Sequence, residues 1–263
     1  VIRAVIPGAA GKMGAMLIEA IRADGRVALH AAVERKGHAA VGTEAAPGVP
    51  MGDDFARALE GADVYIDFTA PEATGALVAQ AASRRVAAVI GTTGLAPEAR
   101  AAIFHAAADI PVVVAPNFSL GVNLLLGLAE EAARALGPEY DVEVVEIHHR
   151  HKRDAPSGTA IALAEALARG RDAELAKVKR FSREGDVGAR PDGEIGVQAV
   201  RGGDVVGEHT VYFLGPAERI ELTHRASSRL IFARGAVRAA AWVAGKPPGV
   251  YSMKDVLGLS KID

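Results

Sequence analysis

The sequence predicts an α/β protein, with a Rossmann-type parallel-sheet domain and a second α+β domain carrying an open mixed sheet. Three observations lead there. Short, nearly all-apolar β-rich runs alternate with Ala-rich helical stretches through the first part of the chain. A glycine-rich segment, Gly8-Ala9-Ala10-Gly11-Lys12-Met13-Gly14, joins the first run to the first helix. After Lys179 the rhythm changes to successive strand-like runs separated by glycine turns.

In chain order, strands are predicted over 3–7, 27–33, 64–67, 87–90 and 112–115, and helices over 13–23, 72–84 and 98–108. Apolar strands joined by helices make a parallel sheet covered on both faces. A helix over 121–136 leads into a longer β-run over 141–149. Runs over 195–201, 205–214 and 219–226, with turns at Gly202-Gly203 and near Gly215-Pro216, read as a meander in a mixed or antiparallel sheet. Helical periodicity returns over 230–243 and 253–257, where the chain is expected to pack back on the first domain.

Composition narrows the class. Half the residues are apolar and 24% charged, as in ordinary globular proteins. A net charge of −2 gives no broad attraction to nucleic acid or an anionic membrane surface. The absence of Cys excludes disulfides, thiolate nucleophiles and Cys-ligated zinc. No apolar run reaches membrane-spanning length and the chain opens directly on a strand pattern, so a cytoplasmic protein is expected.

The glycine segment lies where a βαβ unit binds a pyrophosphate: small residues let backbone amides approach, and the helix start adds partial positive charge. The spacing is G-x-x-G-x-x-G, and a tight turn without ligand is the alternative. Glu34 closes the second strand, where an acidic residue commonly binds the adenosine ribose. Lys12 and Arg35 could receive a 2′-phosphate, or be solvated surface charges. Gly91, Thr92 and Thr93 end a strand, a position that suits either nicotinamide contact or a plain turn.

Residues 143–160 read EVVEIHHRHKRDAPSGTA, with six consecutive His, Lys or Arg from His148 to Arg153. Such a density is costly unless it meets water or an anion. Sparse aromatics and the lack of a basic helix argue against nucleic acid. No Cys or i, i+4 His completes a metal ligand set, so no metal is expected. If the strand continues, His148, Arg150 and Lys152 share one side, opposite His149 and His151. Ser157 is a natural N-cap, and the Gly158 and Thr159 amides open the helix as donors suited to a carboxylate. A solvated basic turn with a capped helix is the bland alternative.

This stretch resembles the signature of the 4-hydroxy-tetrahydrodipicolinate reductase (dihydrodipicolinate reductase) family of lysine biosynthesis, in which Glu, Glu, His, Lys and Asp precede Pro-Ser-Gly-Thr-Ala. The glycine loop, Asp67–Thr69 with Pro71-Glu72, the Gly91-Thr92-Thr93-Gly94 segment, Pro116-Asn117-Phe118-Ser119 and Gly207-Glu208-His209-Thr210 are also similar to family segments. The resemblance implies hydride transfer from NADH or NADPH to a cyclic, conjugated dicarboxylate imine, followed by protonation. By position it makes His148 the acid/base residue and Lys152 the proton donor, with His149, Ser157, Gly158 and Thr159 binding substrate. Gly8, Ala9, Ala10, Gly11, Lys12, Met13, Glu34, Arg35, Gly91, Thr92, Thr93, Ala115, Pro116, Asn117 and Phe118 would hold the cofactor. It further implies a homotetramer formed largely through the sheet of the second domain. Residues 1–118 and 229–263 then form the dinucleotide-binding domain, and 119–228 the substrate-binding and oligomerisation domain. Ala70 departs from relatives that place a basic residue near the nicotinamide. An amino-acid dehydrogenase of similar architecture would explain the loop but not the His/Lys/Ser-Gly-Thr series. A nicotinamide-sensing module would need an effector surface that the sequence does not contain.

Overall fold

A computed structural model of the chain describes residues 1–259. The N-terminal segment forms β1 (Ile2–Pro7), α1 (Lys12–Asp24), β2 (Val27–Val33), β3 (Glu44–Ala46), β4 (Val49–Gly52), α2 (Phe55–Ala58), β5 (Val64–Asp67), α3 (Pro71–Ser83), β6 (Ala87–Ile90), α4 (Pro97–Ala106) and β7 (Pro111–Val114). Then come α5 (Leu120–Leu136), β8 (Asp141–His148), α6 (Gly158–Gly170), α7 (Leu175–Val178), β9 (Lys179–Arg180), β10 (Ile195–Arg201), β11 (Gly207–Gly215) and β12 (Glu218–Ala226). The chain closes with α8 (Leu230–Val243), β13 (Gly249–Tyr251) and α9 (Met253–Leu257). Two compact units result, one from Val1–Leu120 together with the chain from Leu230 onward, the other Gly121–Arg229.

The first unit is built on a sheet of order β13-β7-β6-β5-β1-β2-β4-β3, in which only the β3–β4 pair is antiparallel. Strand order reverses between β1 and β5, which places the ligand crevice of such a sheet at the carboxyl ends of those strands. One face is buried by Leu17, Ile18 and Ile21 of α1 with Ala233, Ala236, Val237 and Ala240 of α8. The other is buried by Val78 and Ala81 of α3 with Ile103 and Ala106 of α4. Small residues let α8 sit close: a Cβ on Gly235 would lie 1.7 Å from the Phe118 carbonyl oxygen.

The second unit has the sheet order β12-β11-β8-β10-β9. Its core joins Val142, Val144, Val197, Val211 and Phe213 of the sheet to Leu125 and Ala129 of α5 and Leu163 and Leu167 of α6. No helix among the described residues is long and apolar enough to cross a membrane.

The expected α/β class holds, and most predicted elements lie within a residue or two of those observed. The meander holds only for its second pair, β11 and β12, which form an antiparallel hairpin. β10 and β11 are not partners, because β8 lies between them, parallel to β10 and antiparallel to β11. The connecting residues instead wrap the end of β8. The Gly202 amide donates to the His148 carbonyl at 3.0 Å, and the His149 amide to the Val205 carbonyl at 2.8 Å. Periodicity reports which residues face a core but not which strand fills the neighbouring slot. The short strands β3, β4, β9 and β13 and the one-turn helices α2 and α7 were not predicted. They span two to four residues each, too few for a period to register.

Candidate active site

The glycine loop is shaped by close approach. Gly8 adopts φ +66°, and a Cβ there would meet the Thr69 methyl at 3.1 Å. A Cβ on Gly14 would lie 2.4–2.6 Å from the Gly8 and Ala9 carbonyl oxygens and the Ala9 Cα. Helix α1 starts behind an extended Gly11 with no side-chain cap and no acid in its first turn, which leaves the dipole end suited to an anion. Glu34 closes the loop from below, accepting from the Ala10 amide at 3.0 Å and the Arg35 amide at 3.2 Å. Lys12 and Arg35 are exposed beside it. The crowded backbone and the acid-free helix start fit a dinucleotide pyrophosphate.

At the end of β5, Asp67 is fully buried and accepts from the Thr69 amide and hydroxyl and from the Thr74 and Thr92 hydroxyls, at 2.6–3.1 Å. The Thr92 side chain is therefore bound within the fold, whereas Thr93 is exposed. Gly91 makes room for the Phe68 ring, which a Cβ would meet at 2.3 Å. Two cavities gather the remaining candidates of this unit. One of about 220 Å³ is lined by Met13, Phe68, Pro116, Asn117, Phe118 and Phe232. The other, of about 350 Å³, includes Thr92, Thr93, Ala115 and Pro116. Ala70 is exposed at the N-cap of α3 and makes no side-chain capping bond.

The second centre is the carboxyl end of β8. Strand alternation turns Val142, Val144, Glu146 and His148 inward, and the run changes along its length from apolar core to a buried carboxylate and imidazole. Glu146 is 0% exposed. Its Oε2 accepts from His148 Nδ1 at 2.6 Å and from Arg201 Nη1 at 2.7 Å. Its Oε1 accepts from the Ser157 amide at 3.0 Å and from Arg201 Nη2 at 2.8 Å. Arg201 is presented by β10, whose parallel register sets it beside His148. Burial opposes ionisation of Glu146, but the bonds from Arg201, His148 and Ser157 outweigh it and hold the carboxyl below its usual range.

Burial lowers the His148 pKa; Glu146 opposes that shift, while the charges of Lys152 and Arg201 add to it. His209, on β11, meets His148 edge to face with ring centroids 5.1 Å apart. Its Nε2 lies 3.1 Å from Ser157 Oγ. Burial, with the neighbouring His148, takes His209 down to about 4. Ser157 caps α6 as expected, its Oγ accepting from the Ala160 amide, so Gly158 and Thr159 form the first turn. A Cβ on Gly207 would lie 2.9 Å from His148 Nε2, so this glycine keeps space for the ring.

The strand does not continue to Lys152, so the condition for His148, Arg150 and Lys152 sharing one side is not met. It stops at His148, and a turn closed by the Lys152 amide on the His149 carbonyl at 3.1 Å follows, so alternation cannot assign sides beyond that point. Lys152 is nevertheless near enough for its charge to act on both His148 and His209. Its ammonium pairs with Asp154 at 2.9 Å. His149 turns the other way, with Nε2 3.4 Å from Arg229 Nη2. Sequence reasoning assigned no role to Glu146, Arg201 or His209. Glu146 was recoverable, since it is two residues from His148 on a strand. The other two reach the site through sheet register alone.

The comparisons with known proteins agree along the whole chain. Residues 2–118 match the family described as "Dihydrodipicolinate reductase, N-terminus", and residues 121–257 its C-terminus. A 4-hydroxy-tetrahydrodipicolinate reductase from Anaeromyxobacter dehalogenans (strain 2CP-1) is 53% identical, covering 98% of each chain. One from Alkalilimnicola ehrlichii is 54% identical, covering 98% of this chain and 99% of the relative. Among solved structures, dipicolinate-bound dihydrodipicolinate reductase from Paenisporosarcina sp. TG-14 superposes with TM-score 0.79 at 26% identity, covering 96% of this chain and 97% of that one. A diaminopimelate dehydrogenase from C. glutamicum shares the fold alone, with TM-score 0.56 at 16% identity, and the amino-acid dehydrogenase alternative is not favoured. The chain belongs to the 4-hydroxy-tetrahydrodipicolinate reductase (dihydrodipicolinate reductase) family.

Proposed function

We propose that this chain reduces 4-hydroxy-tetrahydrodipicolinate to tetrahydrodipicolinate, in the diaminopimelate route to lysine, with NADH or NADPH as reductant. The observation that carries the proposal is the grouping that follows the end of β8: a buried, carboxylate-bound imidazole at His148, the ammonium of Lys152, and the start of α6 at Gly158. Loss of water from the substrate leaves a conjugated imine, and a nicotinamide, when bound, would supply the hydride for its carbon–carbon double bond. The resulting enamine needs one proton, which Lys152 donates while its charge stabilises the electron-rich ring. His148 is the acid/base group beside it. The amides of Gly158 and Thr159 receive a substrate carboxylate at the positive end of α6, and His149 supplies a further contact.

The cofactor is held by the loop from Gly8 to Met13, by Glu34 on the ribose, and by the segments at 91–93 and 115–118. Lys12 and Arg35 admit the phosphate of NADPH, so both nicotinamides serve. The active assembly is a cytoplasmic homotetramer built on the second unit's sheet. The sheet face away from α5 and α6 supports this: Val145, Ile147 and Tyr212 are half-buried there, and Val200 and Leu214 are 45% and 38% exposed.

The direct test is consumption of NADH and NADPH in the presence of the cyclic imine, with simple 2-oxo acids as controls. Turnover of the imine alone supports the proposal. Turnover of 2-oxo acids with ammonia, and none of the imine, would instead indicate an amino-acid dehydrogenase.

A further inference from the structure

Each oxygen of the Glu146 carboxylate serves two masters. Oε2 binds the His148 imidazole and one arm of Arg201; Oε1 binds the Ser157 amide at the entrance to α6 and the other arm. An ionised carboxylate only accepts, so His148 Nδ1 must carry a proton, and in the neutral ring Nε2 then presents a lone pair. The Arg201 fork fills the remaining acceptor positions, and its Nη2 also donates to the Asp154 carbonyl at 2.6 Å. We propose that Glu146 is the positioning residue of this site, fixing the tautomer of His148 and joining that imidazole rigidly to the helix start that receives the substrate carboxylate. The inference rests on the acid/base role given to His148 above, and adds to it how that role is set up.

Every element around His148 contributes. Glu146 comes from its own strand, Arg201 from β10, His209 from β11, and Lys152 and Ser157 from the segment leading into α6. Burial disfavours a charged ring, the cations Arg201 and Lys152 (the latter paired with Asp154) add to that and Glu146 opposes it, so the neutral imidazole is the form this surrounding favours. A neutral His148 with Nε2 unprotonated suits an acceptor rather than a second acid, which leaves the ammonium of Lys152 to deliver the proton. Glu146 therefore decides the division of labour without touching substrate.

The test uses the full chain and reads the tautomer as well as the rate. Long-range ¹H–¹⁵N correlation of the His148 ring should show protonated Nδ1 and bare Nε2. Glu146→Gln offers an amide whose NH₂ can face Nδ1, so the tautomer should invert, and kcat should fall by about 10²-fold or more. The KM for NADH should stay put, and the pH profile of kcat should change shape. Because Glu146→Gln leaves Arg201 without its anion and can fail to fold, the pair Glu146→Gln with Arg201→Met removes both charges together. It should show the same inverted tautomer and slow turnover. A wild-type tautomer in either folded variant, or a kcat and pH profile that do not change, would overturn the assignment. A wild type that holds the Nδ1–H tautomer yet does not reduce the imine would sink the proposed function, while leaving the Glu146–His148 pairing in place.

Discussion

At the residue scale the proposed chemistry draws on three neighbouring side chains, one cationic and two neutral. Lys152 pairs with Asp154, His148 is bound by Glu146 with its pKa lowered by burial, and burial keeps the His209 imidazole neutral near pH 7. Lys152→Ala should lower kcat by about 10²–10⁴-fold with NADH affinity unchanged, since the residue lies in the unit that lacks the glycine loop. His148→Gln should act similarly, whereas His151→Ala, exposed on the turn, should cost little. Steady-state kinetics with a separate NADH titration distinguishes these cases, and a Lys152 variant of full kcat would refute the donor role. His209 links the site to stability. Its pKa is about 4 in the fold, against an ordinary 6.5. As pH falls, the unfolded chain binds a proton first. The contribution is complete above about pH 6.5 and is lost progressively towards about pH 4, amounting to about 3 kcal/mol. His148 and His224 are lowered in the same direction and add to the loss. Urea midpoints should therefore drop between about pH 7.5 and about pH 5, and drop less in His209→Gln. Equal drops would show that His209 is not the group responsible.

At the element scale, two helix starts are proposed to bind ligands, α1 through an uncapped glycine loop and α6 behind a serine cap. Helix α1 begins on glycines, with Gly14 pressed against the loop's own carbonyls. Gly14→Ala must push α1 off the loop, costing about 1–3 kcal/mol, and should weaken both nicotinamides by about tenfold or more in a fluorescence titration. Unchanged affinity would show that the loop does not bind the pyrophosphate. Helix α6 is started by Ser157, whose hydroxyl serves the Ala160 amide while its own amide is held by Glu146. Both starts were legible in the sequence, because cap chemistry is local: a serine before a Gly-Thr-Ala run and glycines between a strand and a helix. The turn after His148 was not. Alternation predicts sides only while a strand lasts, and the chain was already bending back at Lys152.

At the scale of the whole molecule, the parallel sheet was readable from its all-apolar strands, and the change of texture after Lys179 marked a different kind of sheet. What could not be read was adjacency. β10 comes far along the chain yet lies beside β8, and this register is what brings Arg201 to Glu146. His209 reaches His148 by the same route from the other side, on β11. Local pattern thus picked out the basic run to which the resemblance gave the reaction, while topology alone brought Arg201 and His209 to it. In the proposed reaction a hydride enters one carbon of the conjugated imine and a proton enters the next. The most direct measurement is turnover with NADH deuterated at the transferred position, in ordinary water, with the product examined by NMR. One carbon-bound deuterium per product molecule is expected, with the second new hydrogen drawn from solvent. A product without deuterium, or no product from either nicotinamide, would contradict it.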